Sequence, residues 1–214
     1  MMTGSVDWTS IPYLQYMAFI AAGYLLGSIP FGLIAGKVFS GVDVRDHGSG
    51  RTGMTNVLRT SGVKAAVLVL ALDMLKAVSA ILLAKYLTHN AGIETAAGLA
   101  ALIGHNWPVF TGFRGGRGTA SGWASLFVYN PISGLIATLV GIPAVALTRY
   151  VSLGSLLGAC IGGLSLSLMA YFMVGVPDAY VWFGIIGSTI VVARHKDNIG
   201  RLVRGEERKL GQKA

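Results

Sequence analysis

Ala65-Ala-Val-Leu-Val-Leu-Ala-Leu-Asp-Met-Leu-Lys-Ala-Val-Ser-Ala-Ile-Leu-Leu-Ala-Lys85 is the stretch that decides the fold class. It is almost continuously apolar and free of proline and glycine. At about 1.5 Å of rise per residue it makes a helix about 30 Å long, the thickness of a bilayer's hydrocarbon core. A helix that is apolar on all sides has no place on the surface of a water-soluble domain. Working outward, further apolar runs predict helices at about 12–36, 94–110, 118–130, 131–148, 153–174 and 179–193. Seven helices are therefore expected in all, with five as the main alternative. Pro131 falls where the fourth and fifth meet and predicts a bent or re-entrant pair. The whole chain agrees: its 214 residues are 53% hydrophobic and 12% charged, against about 25% charged in a soluble domain, with a mean hydropathy of +0.64. The expectation is an all-α polytopic membrane protein, residues 1–214 forming a single integral membrane domain with Gly-rich cytoplasmic loops.

The basic residues orient it. With the N-terminus outside and the C-terminus inside, 15 of the 17 Lys and Arg fall in cytoplasmic segments. Lys85 lies outside and Lys76 within a span, so the excess of positive charge on the inner side favours this arrangement. No basic residue precedes the first apolar run, so that run does not read as a cleavable signal peptide. The net charge of +8 reflects loops facing anionic lipid and anionic substrates rather than nucleic acid. Cys160 is the only cysteine, which excludes a disulfide framework and a thiolate metal site. Residues 201–214 read as a basic cytoplasmic tail, with Arg208 an exposed headgroup contact.

The cytoplasmic segments carry the chemistry. Between Gly41 and Arg59 stands Gly48-Ser-Gly-Arg-Thr-Gly-Met-Thr-Asn56. It fits the spacing of a dinucleotide-binding turn, but no strand precedes it, and Met54 occupies the place where a P-loop needs Lys. The shared physics remains: glycines such as Gly50 let backbone N–H groups turn toward an anion at a helix N-terminus. Ser49, Thr55 and Asn56 add neutral donors, while Arg45 and Arg59 add charged forks suited to phosphate. A second segment, His105 to Ser121, carries the turn Gly115-Gly116-Arg117-Gly118 with a cation at its centre. Ser152 follows Arg149, and His195 and Asn198 stand three apart, on one face of a helix. Within the second span, Asp73 and Lys76 read as a structural ion pair rather than a proton relay.

At these residues the chain resembles the bacterial acyl-phosphate:glycerol-3-phosphate acyltransferases. The landmarks are Gly27-Ser-Ile-Pro30, Gly48 to Asn56 with Arg59, Leu72-Asp-Met-Leu-Lys76, Gly104-His105 with Pro108-Val-Phe110, and Gly115-Gly-Arg-Gly118. Val151-Ser-Leu153 and Arg194-His195 through Asn198-Ile199 complete them. The resemblance implies transfer of a fatty acyl group from acyl phosphate to the 1-hydroxyl of glycerol 3-phosphate at the cytoplasmic face of a bacterial plasma membrane, without a cofactor or metal. It also implies that Ser49, Thr55, Asn56, Arg59, Arg117, Ser152, His195 and Asn198 line the site, with His195, Asn198, Ser49 and Arg117 closest to the chemistry. Arg45, Gly50, His105, Gly115 and Gly116 are the further candidates for substrate contact. No histidine has an aspartate five positions on, so the other large acyltransferase motif is absent. Three residues depart from the pattern: Arg51 replaces the usual Asn, Met54 a small Ala, and Arg117 the usual Lys. The proton of the attacking hydroxyl goes either to His195 or to a substrate phosphate, the latter being preferred. A small-anion transporter and a weakened relative that only binds acyl phosphate are the competing readings.

Overall fold

The computed structural model describes residues 12–212, and among these every regular element is helical. Helix α1 (Pro12–Ser28) breaks at Ile29-Pro30 and continues as α2 (Phe31–Ser40). After a loop come α3 (Met54–Thr88) and α4 (Ala91–Asn106). A second loop leads to α5 (Thr119–Tyr129), α6 (Pro131–Thr148) and α7 (Val151–Phe172). Helix α8 (Tyr180–Arg194), which contains a π turn at Phe183–Gly187, and the short α9 (Lys196–Val203) complete the chain.

A helix stands at each of the seven expected places. Among the described residues, four stretches are long and apolar enough to cross a membrane: Tyr13–Ser40, Met54–Thr88, Pro131–Thr148 and Val151–Phe172. Helices α4, α5 and α8 fall short of that length. Helices α5 and α6 are two elements rather than one bent one. Asn130, in extended backbone, ends the first, and its side chain accepts from Ser133 N to start the second, with Pro131 at the first helical position.

Small residues set the packing. Cβ atoms added at Gly23 and Gly27 of α1 would run into the backbone of Ala97 and Ala101 on α4. Gly141, Gly154 and Gly158 allow the same approach between α6 and α7. Bare backbones in contact maximise dispersion where lipid offers no hydrophobic gain from helix pairing. Many large apolar side chains point outward instead, including Leu75, Leu83, Leu139 and Leu147. One interior cluster gathers Ile81, Leu126, Tyr129, Leu166 and Phe183.

Two features of α3 position the site. At Gly62 the backbone turns to φ 84°, ψ −179°, a region essentially reserved for glycine. It separates a two-turn piece, residues 54–61, from the long span. Further along, Asp73 and Lys76 form the expected ion pair at 2.9 Å, both buried. The pair is part of a wider network. Lys76 Nζ donates to Ile29 O at the Pro30 break, and His105 Nδ1 lies 3.4 Å from Asp73 Oδ1. Ser121 Oγ donates to Asp73 O. Charges buried this way persist only when mutually satisfied, and here they tie α3 to α1, α4 and α5.

Candidate active site

Candidate hydrogen-bond donors from four separated segments meet around one cavity of about 560 Å³. Ser49, Thr55, Asn56, Arg59, His105, Arg117, Ser152, His195 and Asn198 all line it. Arg45, Gly50, Gly115 and Gly116 do not, and each has a local reason.

Arg45 is spent on Asp43, with contacts of 2.7, 3.0 and 3.2 Å, and on Thr111 O. The hydrogen bond from Arg45 holds the Asp43 carboxyl down to about pKa 2. Gly50, at φ 66°, closes a turn by donating its N–H to His47 O. Gly116 donates its N–H to His105 O and accepts from the Arg194 guanidinium, while its Cα rests against the His105 ring. Gly115 packs on the backbone of His105 and on Pro108. The glycines of this second turn therefore serve close packing on the end of α4, and only Arg117 and Gly118 reach the cavity. Arg194 in turn rests 4.8 Å over the Trp107 ring.

Asn56 lines the cavity but its polar atoms face the loop. Its amide donates to Val44 O, His47 O and Arg51 O and accepts from Ser49 N. Both amide protons are thus committed to the loop, and Oδ1 holds one bond from it. It shapes the loop from which Ser49 and Arg51 project, which corrects its expected role as a substrate donor. Gly53 starts α3 without a side-chain cap, and Gly53, Met54 and Thr55 border the cavity. The positive end of this helix is thus left for an anion.

Arg117 is mostly buried, and its Nε has no hydrogen-bond partner. Burial, aided by neighbouring Arg51, pushes its pKa down to about 10, so it stays charged at neutral pH. A buried cation with unused donors is held ready for an anionic ligand. His195 Nδ1 lies 2.8 Å from Val191 O. A carbonyl only accepts, so Nδ1 carries the proton and Nε2 keeps its lone pair. Burial pushes the His195 pKa down to about 4, leaving the ring neutral at physiological pH.

One group the sequence reading did not place is Glu207. The tail folds back, and the Glu207 carboxylate, 6% exposed, accepts from Ser152 Oγ at 2.9 Å, Asn198 Nδ2 at 2.6 Å and Arg201 Nε at 2.8 Å. Arg201 and Arg208 line the cavity too, which corrects the reading of residues beyond Arg201 as a headgroup-bound tail. Leu210 N and the Arg149 guanidinium hold the tail through bonds to Arg149 O and Leu210 O. The Glu206-Glu207 pair just after Gly205, within a run of cations, was the available signal.

Beside the cavity runs an apolar groove of about 460 Å³ between α5, α6, α7 and α8. The two share Met54, Thr119, Trp123, Ile142, Val151 and Ser155 as a common border.

A helical membrane protein in which a cation-lined cavity shares a border with an apolar groove has the chemistry to hold an anionic group beside a hydrocarbon chain. The comparisons make it specific. The family model described as glycerol-3-phosphate acyltransferase matches residues 17–205. The glycerol-3-phosphate acyltransferase of Halalkalibacterium halodurans is 43% identical over 196 residues, covering 91% of this chain and 95% of the relative. Glycerol-3-phosphate acyltransferase 3 of Dehalococcoides mccartyi is 42% identical over 207 residues, with 91% and 95% covered. Crystal structures of PlsY, an integral membrane glycerol 3-phosphate acyltransferase, are similar in fold. The glycerol 3-phosphate form superposes with TM-score 0.83 at 38% identity, covering 92% of this chain and 96% of that one. The lysophosphatidic acid form gives 0.81 at 37%, with 92% and 95% covered. The chain belongs to the glycerol-3-phosphate acyltransferase family.

Proposed function

We propose that this membrane enzyme transfers a fatty acyl group from acyl phosphate to the 1-hydroxyl of glycerol 3-phosphate, giving lysophosphatidic acid and inorganic phosphate, the opening step of phospholipid synthesis. The observation that carries this reading is the junction of a cavity lined by arginines with an apolar groove. Two phosphate-bearing substrates need cations, and one of them needs room for a hydrocarbon chain.

Arg59, Arg117, Ser152 and the open end of α3 bind the phosphates, and Ser49 and Thr55 add hydroxyl donors. The acyl chain lies in the groove, so the reacting carbonyl sits near Met54, Thr119 and Ser155. Acyl phosphate is a mixed anhydride with a good leaving group, and no covalent enzyme intermediate is needed. The hydroxyl oxygen attacks the acyl carbon, the carbon–oxygen bond to phosphate breaks, and the protein contributes proximity and charge stabilisation. The cavity is placed at the cytoplasmic face, because the segments that form it hold nearly all the Lys and Arg, in seven crossings of a bacterial plasma membrane. A transporter reading fits less well, since the donors gather around a cavity bordered by loops and helix ends rather than at broken helices near mid-bilayer.

His195 orients the attacking hydroxyl through Nε2, and a substrate phosphate takes the proton. Magnitude decides between them: the second ionisation of a phosphate monoester lies near pKa 6, two units above His195 at about 4. The phosphate is the stronger base. As pH falls through about 6, kcat/KM should decline as the dianion protonates, and this limb should persist in His195→Gln at a lower overall rate. Loss of the limb in that variant would make His195 the base. In the same assay acyl-CoA should not replace acyl phosphate, and a chelator should leave the rate unchanged. Among the described residues, no three His, Cys, Asp or Glu side chains converge to hold a metal ion.

A further inference from the structure

Arg51 is used neither by the reading above nor by the family's pattern, which has Asn at this place. We propose that Arg51 is an additional phosphoryl-binding residue of the cavity, forming with Arg117 a two-guanidinium clamp for one substrate phosphate and releasing Asp197 when it does so. The proposal rests on the acyltransferase reading and adds to it a specificity element particular to this chain.

Four observations carry it. The backbone at Arg51 is fixed: its carbonyl accepts from the buried Asn56 amide, and the backbone of the next residue, Thr52, packs against Gly32. From that fixed base the side chain lines the cavity, 25% exposed. Its ionic partner is Asp197 of α9 at 3.4 Å, itself half exposed. Charge-assisted contacts of this kind close to about 2.7–2.9 Å when well made, so this one is long, and an exposed ion pair contributes little. Arg51 also lies near enough to Arg117 and Arg194 that its charge adds to burial in lowering the pKa of Arg117. Asp197 and Glu207 are the carboxylates that act on these guanidinium groups, and a phosphate dianion placed among them adds to that compensation. The buried, unpartnered Arg117 Nε supplies the inner donor, and Arg51 supplies the outer one. Exchange of Asp197 for phosphate costs little, because the pair it replaces is weak.

Phosphoryl chemistry is common to acyl phosphate, glycerol 3-phosphate and the released phosphate, so the experiment must separate them. The full-length protein in detergent is compared with Arg51→Asn, Arg51→Lys and Asp197→Asn. KM is measured for each substrate, and Ki for inorganic phosphate. Arg51→Asn installs the residue the family usually carries, so the fold should hold. We expect it to raise Ki for phosphate and the KM of one substrate about tenfold, with kcat within about twofold and Arg51→Lys intermediate. The substrate whose KM moves is the one whose phosphate the clamp holds. Asp197→Asn, freeing Arg51, should lower the same KM. If Arg51→Asn leaves both KM values and Ki unchanged, or if only kcat falls, the clamp is refuted. Stabilisation by inorganic phosphate, read as a rise in Tm on the same proteins, needs no turnover. It should be present in the wild type and reduced in Arg51→Asn even if acyl transfer failed, so the two claims stand or fall separately.

Discussion

Arg117→Ala should lower kcat/KM for acyl transfer by tenfold to a hundredfold or more while the protein still inserts and folds. The guanidinium is mostly buried and its Nε has no partner within the protein. Its donors are therefore free for substrate, and removing it opens no structural bond. A charge-assisted hydrogen bond contributes about 1.5–3 kcal/mol, which sets the lower end of the effect. A contact that strengthens as charge develops on the leaving phosphate would add to it. Arg117→Lys keeps the charge and restores the residue the family usually carries, so it should retain substantial activity. Turnover assays on the three proteins check this, and full activity in Arg117→Ala would remove Arg117 from the site.

Glu207→Ala should have the second large effect, on stability as well as turnover. Its carboxylate holds Ser152, Asn198 and Arg201 together, and its charge acts on Arg59. Breaking a buried charged cluster by removing one partner costs about 3–5 kcal/mol, and Arg201 being about a third exposed places this case at the lower end. Glu207→Gln can still accept from Ser152 and Asn198 through its amide oxygen, so it should keep more stability than Glu207→Ala while losing the pairing with Arg201. The check is Tm in detergent alongside activity. An unchanged Tm in Glu207→Ala would mean that the folded-back tail is not part of the site's framework.

These two residues mark how much of the site the sequence reveals. Apolar runs located the helices, because lipid demands continuous hydrophobic surface whatever the tertiary arrangement. Asp73 and Lys76 were legible as a pair because three residues make them helix neighbours. His105 could not be joined to them from sequence, since it comes from another helix. The same holds for Glu207, whose partner Ser152 is 55 residues away. Asn56, Gly115 and Gly116 were misassigned for a different reason. Sequence shows which donors exist, but not that Asn56 spends all of its own on a loop or that Gly116 gives its N–H to His105. Gly62 was not singled out either: one glycine near the start of a long apolar run does not announce the break that sets residues 54–61 apart. Nine of the thirteen named positions border the cavity.

The account turns on whether the cavity and groove together perform acyl transfer. The most direct measurement gives purified protein acyl phosphate and glycerol 3-phosphate and follows both products at once. Lysophosphatidic acid and inorganic phosphate should appear at equal molar rates, and both should depend on glycerol 3-phosphate. Phosphate release without lysophosphatidic acid, or no reaction with either substrate present in excess, would contradict it.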